Sequence, residues 1–87
     1  MFWVYIIEST RTGKRYYGQT GDLKLRLEQH NAGKVGPTRS HRPWKLIGAF
    51  RFDTRAEAMA FELKLKKAKN KAYIQWLLEA RGERLMD

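Results

Sequence analysis

The sequence has no cysteine among its 87 residues, so disulfide bonds and thiolate metal sites are excluded. It also has no apolar run near the roughly 20 residues that a membrane-spanning helix requires. The N-terminal segment MFWVYII lacks a basic leader and a small-residue cleavage site, and it therefore predicts a β-strand and not a signal peptide. These absences predict a cytoplasmic protein that does not enter a membrane.

Acidic residues are scarce, with nine Asp and Glu against 18 Lys and Arg and a formal net charge of +9 at pH 7. Such an excess favours a polyanionic partner, because each cation that neutralises a phosphate releases condensed counterions. A membrane surface fits less well, since no helix has an apolar face suited to lipid. The charge therefore predicts a nucleic-acid partner without separating an enzyme from a passive binder.

The composition is globular, with 43% hydrophobic residues, and the length suits one domain. We expect that domain over residues 1–80, followed by a short tail at 81–87. The hydrophobic pattern predicts an α/β fold in which a small three-stranded central sheet, antiparallel or mixed, is flanked by helices in the order β-β-α-β-α-α. FWVYII is apolar at every position, as expected of a central strand, and KRYYGQT follows a turn as its hairpin partner.

Stop and start signals bound the later elements. Thr20 or Asp22 is suited to cap the helix DLKLRLEQHNAG, which ends at Asn31 and Gly33, and KVGPTRSHRP follows as a basic loop. The strand WKLIGAFRF alternates in hydrophobicity. That alternation assigns one face to Trp44, Leu46, Phe50 and Phe52 and the other to Lys45, Ile47 and Arg51.

Two helices are predicted after the third strand. The segment TRAE predicts a capping box, in which Thr54 and Glu57 each satisfy a free amide of the other. Asn70 is a plausible cap for the last helix. The apolar stripes are expected at Ala58, Phe61, Leu65 and Ala68 in the first helix and at Tyr73, Ile74, Leu77 and Leu78 in the second.

Three short motifs, VYI at residues 4–6, YYG at 16–18 and RLEQH at 26–30, resemble the GIY-YIG nuclease superfamily. The likeness extends through HNAG, RPWKLI, EAMAFELKLKK and KAYIQWLL, and the chain looks most like small stand-alone members similar to the N-terminal domain of excision-repair nucleases. Val4 stands where the first motif has glycine, and Tyr17 where the second has isoleucine. The resemblance implies a phosphodiesterase that acts on DNA with one divalent ion, Mg²⁺ or Mn²⁺.

The same resemblance implies the residues of the site. The expected catalytic set is Tyr5, Tyr16, Arg26, His30 and Glu62. Of these, Glu62 matches the metal-binding glutamate, and Asn70 lies near the late asparagine of many members. We also expect Gly18 to leave room for close backbone approach.

Elementary chemistry is compatible with these catalytic roles, but some of these residues could also have a purely structural role. Tyr5 and Tyr16 share a sheet face if the hairpin pairs residues whose numbers sum to an odd value, although strand aromatics usually fill a core. Arg26 and His30 lie one helical turn apart, where a guanidinium fork suits a phosphate and an imidazole with a pKa near ~6.5 can relay a proton. Glu62 sits at the edge of its apolar stripe and could simply pair with Lys66 at i+4.

A second basic set is expected to contact DNA phosphates, namely Arg39, Arg42, Lys66, Lys67 and Lys69. His41, in the same loop as the two arginines, is an alternative second histidine of the active site. The intact catalytic set favours an endonuclease of DNA repair, recombination or processing over a non-catalytic basic nucleic-acid-binding module or a basic ribonucleoprotein component. The His30–Asn31 pair also suggests an HNH nuclease. A partner protein that supplies specificity, and the oligomeric state, stay open.

Overall fold

The computed structural model describes residues 1–68 and 71–81, and the order β-β-α-β-α-α is confirmed. The elements are β1 (Phe2–Ser9), β2 (Arg15–Thr20), α1 (Leu23–Asn31), β3 (Trp44–Phe52), α2 (Arg55–Ala68) and α3 (Lys71–Arg81). The segment predicted as a basic loop contains a short 3₁₀ helix, Gly36–His41. Lys69, the predicted cap Asn70 and residues 82–87 of the expected tail lie outside the described residues.

The sheet is antiparallel with strand order β2-β1-β3, so β1 is the central strand, as its apolar sequence predicts. Val4 and Ile6 point to the face covered by α2 and α3, while Tyr5 and Ile7 point to the face covered by α1. All four side chains are at most 2% exposed. One strand therefore supplies both halves of the core.

The β1–β2 hairpin has the register that places the two motif tyrosines together. Tyr5 pairs with Gly18 and Ile7 pairs with Tyr16, so paired residue numbers sum to an odd value. Because side chains alternate along a strand, Tyr5 and Tyr16 lie on the same face, the one that α1 covers. The conditional prediction from the sequence is confirmed.

Strand β3 contains an irregularity that the hydrophobic alternation did not predict. Ile6 pairs with Gly48 but Ile7 pairs with Leu46, so Ile47 is an extra residue in the ladder. A bulge of one residue reverses which side chains face which layer beyond it.

The faces predicted for β3 are therefore wrong across the bulge. Trp44 and Leu46 pack with the α1 side of the sheet, whereas Phe50 and Phe52 pack with α2 and α3. The sequence pattern placed all four on one face because it assumed an unbroken period of two.

The helices begin and pack where the sequence signals predict. Asp22, and not Thr20, caps α1 by accepting from Leu25 N at 3.0 Å. The capping box of α2 is present, with Thr54 N donating to Glu57 Oε1 and Glu57 N donating to Thr54 Oγ1, both at 3.2 Å. The buried residues of α2 and α3 belong to the predicted stripes, namely Ala58, Phe61 and Leu65 in α2 and Ile74, Leu77 and Leu78 in α3, whereas Ala68 and Tyr73 of those stripes are half-buried. Across residues 1–68 and 71–81, none of the helices has the length and apolar character needed to cross a bilayer.

Helix α2 offers a matched test of this packing. Leu65 is 0% exposed in the core, whereas Leu63 on the same helix is 53% exposed. We expect Leu65→Ala to lower the free energy of unfolding by about 3 kcal/mol, because it leaves a cavity. Leu63→Ala should change it by less than about 0.5 kcal/mol. Urea denaturation measures both, and equal losses would contradict the assignment of the buried face.

Candidate active site

The predicted site residues from β1, β2 and α1 meet on the face of the sheet that α1 covers. The His30 ring, at the end of α1, makes edge contacts with both tyrosines, with centroid separations of 5.6 Å to Tyr5 and 5.2 Å to Tyr16. Tyr5 and His30 are 2% and 0% exposed, while Tyr16 is half-buried. The helix register and the hairpin register thus bring three distant residues into one cluster.

A chain of short hydrogen bonds runs through the buried part of this cluster. The Tyr5 hydroxyl lies 2.7 Å from His30 Nε2, and His30 Nδ1 lies 2.7 Å from the Thr38 hydroxyl. Thr38, which is also fully buried, donates to the backbone oxygen of Val35 at 3.2 Å. Because all three side chains are shielded from water, these contacts are stronger than they would be in solvent.

Gly18 makes room for the Tyr5 ring. A Cβ built on Gly18 would overlap the Tyr5 hydroxyl and lie 2.6 Å from its Cζ atom. The sequence predicted that Gly18 leaves room for close backbone approach. In the structure, the Tyr5 side chain fills this room. Because Gly18 has no side chain, the Tyr5 side chain of β1 can lie across β2.

Arg26, on α1, influences the same hydroxyl. Its Nη1 donates to Gln29 Oε1 at 3.1 Å, which holds the guanidinium on the helix surface. Burial raises the pKa of Tyr5, and a hydrogen bond and the positive charge from Arg26 act in the opposite direction. Arg26 is half-buried, so its fork is held beside Tyr5 and remains accessible to a ligand.

His30 is a neutral imidazole at physiological pH. Burial, followed by the charge of Arg26, lowers the pKa of His30 from 6.5 to about 4. The ordinary value assumed from the sequence is therefore wrong for this environment. At neutral pH one ring nitrogen of His30 accepts and the other donates, which makes it a proton acceptor for a neighbouring hydroxyl.

Glu62, on α2, is paired with Lys66, the plainer role that the i+4 spacing also predicts. The Lys66 ammonium lies 2.6 Å from Glu62 Oε2, and this hydrogen bond raises the pKa of Lys66. The Glu62 side chain is only 16% exposed, and its charge contributes to the raised pKa of Tyr5. In the chain without DNA, Lys66 therefore contacts the carboxylate of Glu62.

The donors at the site fit one kind of metal. In the described part of the chain, no three His, Cys, Asp or Glu side chains gather into a metal-binding group. A single shielded carboxylate that already accepts a cation fits a divalent ion whose other ligands are water and phosphate oxygens, as is usual for Mg²⁺. It does not fit an ion held by protein ligands alone.

The basic loop after α1 is fixed by its own arginines. Arg39 Nε donates to Gly33 O and Arg42 Nε donates to Arg39 O, both at 2.9 Å, while Arg11 from the hairpin donates to Ser40 O. Arg39 and Arg42 are nevertheless exposed, as is Lys67 on α2. Arg39 and Arg42 therefore each bind the backbone of the loop and also add positive charge to the surface.

Asn31 and His41, for which the sequence left alternative roles open, both have structural partners. Both atoms of the Asn31 amide bind the backbone of Trp44, at 3.1 Å to its oxygen and 2.6 Å to its nitrogen. His41 lies against Thr12 and the Trp44 ring. Asn31 thus ties α1 to β3, and the His30–Asn31 pair does not form an HNH metal site.

Thr38 is a site residue that sequence reasoning missed. It lies in a segment that was predicted as a loop, where a threonine is usually exposed. The available signal was that Pro37 is favoured in the first turn of a helix, which would have predicted a helical turn at this point. Only the tertiary structure shows that this turn carries the Thr38 hydroxyl to His30.

Comparison with known proteins agrees with the geometry. Residues 1–75 match the family model of the GIY-YIG catalytic domain. A UPF0213 protein of Streptococcus pneumoniae is 38% identical over 85 residues, which are 97% of this chain and 85% of that protein. One of Bacillus velezensis is 42% identical over 67 residues, or 76% and 68% of the two chains. The solution NMR structure of a UPF0213 protein from Bacillus halodurans has a TM-score of 0.56 and 30% identity, covering 93% of this chain and 87% of that one.

The buried neutral histidine predicts a specific pH dependence of stability. The pKa of His30 is about 4 in the folded chain and 6.5 when unperturbed, so between these values the unfolded chain binds the proton more readily. The stability that depends on neutral His30 is complete above pH 6.5 and is lost as the pH falls through 4. The difference between the two pKa values corresponds to about 3 kcal/mol in the free energy of unfolding.

Urea denaturation between pH 4.5 and pH 7 tests this expectation. His30→Gln, which cannot be protonated, should show a much smaller change in the free energy of unfolding across that range. His41→Gln is the control and should keep the full change. Equal pH dependence in the parent and His30→Gln would show that His30 is not held neutral.

Proposed function

This chain belongs to the GIY-YIG catalytic domain family, and we propose that it is a divalent-metal-dependent endonuclease that hydrolyses DNA phosphodiester bonds. The observation that carries the proposal is the buried 2.7 Å hydrogen bond between Tyr5 and His30 beside the Arg26 guanidinium. It combines a proton acceptor with a cation suited to phosphate. We assign the enzyme to DNA repair, recombination or processing in the cytoplasm, with specificity supplied by a partner protein or a DNA structure.

Tyr5 and His30 provide a route for the proton of the attacking water. The Tyr5 oxygen takes a proton from water while the Tyr5 hydroxyl proton passes to His30 Nε2, so that water gains nucleophilic character and His30 becomes cationic. Such a relay needs a hydroxyl and an acceptor within about 3.2 Å, and the observed separation meets this requirement. Tyr16 has no comparable contact with a His30 ring nitrogen among the hydrogen bonds of the described residues, which favours Tyr5 for this step.

The substrate itself changes the basicity of His30. In the chain without DNA, the charge of Arg26 helps to keep the pKa of His30 low. A phosphate bound to Arg26 offsets that charge, which raises the proton affinity of His30 at the moment when it is required. The low pKa of the free state therefore keeps His30 ready as an acceptor and does not prevent its role in the reaction.

Arg26 and Glu62 act on the phosphate. The planar fork of Arg26 binds two non-bridging oxygens and stabilises the negative charge that develops on them. Glu62 would hold a Mg²⁺ or Mn²⁺ ion, which supplies Lewis-acid stabilisation of the phosphate oxygens. For this, the Lys66 ammonium must move from the carboxylate, and a DNA phosphate offers it another anion.

The distribution of charge supports DNA as the substrate. The net charge is +9, and exposed cations on two elements are available for the phosphate backbone, namely Arg39, Arg42 and Lys67. Contacts of this kind position a duplex without reading its sequence. A non-catalytic binding module would need these cations, but it would have no use for a buried Tyr5–His30 pair or for the Glu62 carboxylate.

The role of Glu62 can be tested by removing its charge while keeping its shape. We expect Glu62→Gln to reduce cleavage in Mg²⁺ by roughly a hundredfold or more, since metal stabilisation of a phosphoryl group is worth several kcal/mol. DNA binding should be retained, because Glu62 is not assigned to a phosphate. Glu28→Gln, on the exposed side of α1, is the control. Unchanged cleavage by Glu62→Gln would remove Glu62 from the mechanism.

The geometry of Arg26 can be separated from its charge. Arg26→Lys keeps the positive charge but loses one of the two paired hydrogen bonds, each worth about 1.5–3 kcal/mol to a charged group. Cleavage should therefore fall by roughly 10- to 100-fold. Arg55→Lys, whose guanidinium lies over the Phe2 ring, is the control and should cleave normally. Full activity of Arg26→Lys would show that only the positive charge of Arg26, and not the geometry of its guanidinium, contributes to cleavage.

A further inference from the structure

We infer that Thr38 is a positioning residue that fixes His30 in the tautomer whose Nε2 accepts the Tyr5 proton. Thr38 contacts neither DNA nor the reacting atoms in the proposed function, on which its catalytic consequence rests. Its effect is transmitted through His30 Nδ1, to which its hydroxyl is hydrogen-bonded at 2.7 Å. Both ends of the buried chain of hydrogen bonds favour the same tautomer of His30.

At the Tyr5 end, the partners of the hydroxyl define its direction. The Arg26 guanidinium, which can only donate, acts on the Tyr5 hydroxyl in the direction that lowers its pKa. The second partner is His30 Nε2 at 2.7 Å. If Nε2 also donated, the buried Tyr5 proton would face two donors and have no acceptor, which is unfavourable for a buried group. Tyr5 therefore donates, and Nε2 accepts.

At the Thr38 end, the direction of the chain is the same. The single Thr38 hydroxyl proton is directed to the backbone oxygen of Val35 at 3.2 Å. The Thr38 oxygen then accepts from His30 Nδ1, which must carry the ring proton. Every proton in the sequence Tyr5, His30, Thr38 and Val35 has an acceptor in this arrangement, and reversing any one bond leaves a proton without one.

The backbone around Thr38 is fixed without the help of His30. Thr38 N donates to Val35 O, and the Trp44 indole donates to Thr38 O at 2.8 Å. Trp44 is itself bound to the Asn31 amide, one residue after His30. The 3₁₀ helix Gly36–His41 therefore holds the hydroxyl at a set place relative to the end of α1. The same hydroxyl oxygen would stabilise the imidazolium that forms when His30 takes the Tyr5 proton.

The tautomer can be observed directly by NMR. The chain contains two histidines, so a long-range ¹H–¹⁵N spectrum of the ¹⁵N-labelled protein at pH 7 shows two imidazoles, and His41→Gln assigns them. We expect His30 in the parent to be protonated on Nδ1 alone. Thr38→Val, which keeps the shape of the side chain but removes the hydroxyl, should lose this preference. Thr38→Ser should keep it, and the His41 signals should not change in either variant.

Cleavage provides the second measurement. We expect Thr38→Val to cleave DNA roughly 10- to 100-fold more slowly, which is the size of effect known for removing the hydrogen-bonding partner of a metal-binding histidine, and Thr38→Ser to recover most of the rate. A His30 protonated on Nε2 in the parent would overturn the inference, whether or not Thr38→Val folds. So would an unchanged tautomer and an unchanged rate in folded Thr38→Val.

The two proposals fail in different ways. If the parent shows the Nδ1 tautomer and Thr38→Val loses it, but the parent does not cleave DNA in Mg²⁺ or Mn²⁺, the positioning role stands and the nuclease proposal falls. If the parent cleaves DNA and Thr38→Val matches it in both rate and tautomer, the nuclease proposal stands and the positioning role falls.

Discussion

The close approach of Tyr5 to β2 is the constraint on which the site depends. The phenol lies across Gly18, where any side chain would overlap its hydroxyl, and this position brings the hydroxyl to His30 Nε2. The pairing of Tyr5 with Gly18 requires the observed hairpin register, because a slip of one residue would turn Tyr16 to the opposite face. The placement of the two tyrosines is therefore set by backbone pairing within the first 20 residues.

Burial then determines the protonation of the cluster. Excluding water keeps His30 neutral and Tyr5 protonated at neutral pH, as the lowered pKa of the first and the raised pKa of the second indicate. Because His30 is neutral and Tyr5 is protonated, the proton of this hydrogen bond can move from Tyr5 to His30. Exposed copies of the same side chains would exchange their hydrogen bonds with solvent and lose this order.

The sequence predicted those features that depend on local rules and missed those that depend on distant contacts. The apolar pattern of β1, the capping box at Thr54 and the buried stripe of α2 follow from neighbouring residues, and each is confirmed. The bulge at Ile47 does not, because two strands far apart in sequence decide which residue is extra. The pKa of His30 and the part played by Thr38 are likewise missed, since both depend on how the chain after α1 packs against His30.

The ion pair between Glu62 and Lys66 connects the structure of the chain without DNA to its proposed reaction. A carboxylate that is only 16% exposed on its side chain is costly to leave unpaired, and Lys66 satisfies it at 2.6 Å. In the proposed reaction, a divalent ion would bind Glu62 and a DNA phosphate would attract Lys66, so the two arriving together would replace both halves of this pair. Either one alone would separate the pair and give a new partner to one of its charges only. Under the proposed function, the ion pair would therefore favour joint binding of metal and DNA over binding of the metal alone, and a single carboxylate would be sufficient for a site that is completed by its substrate.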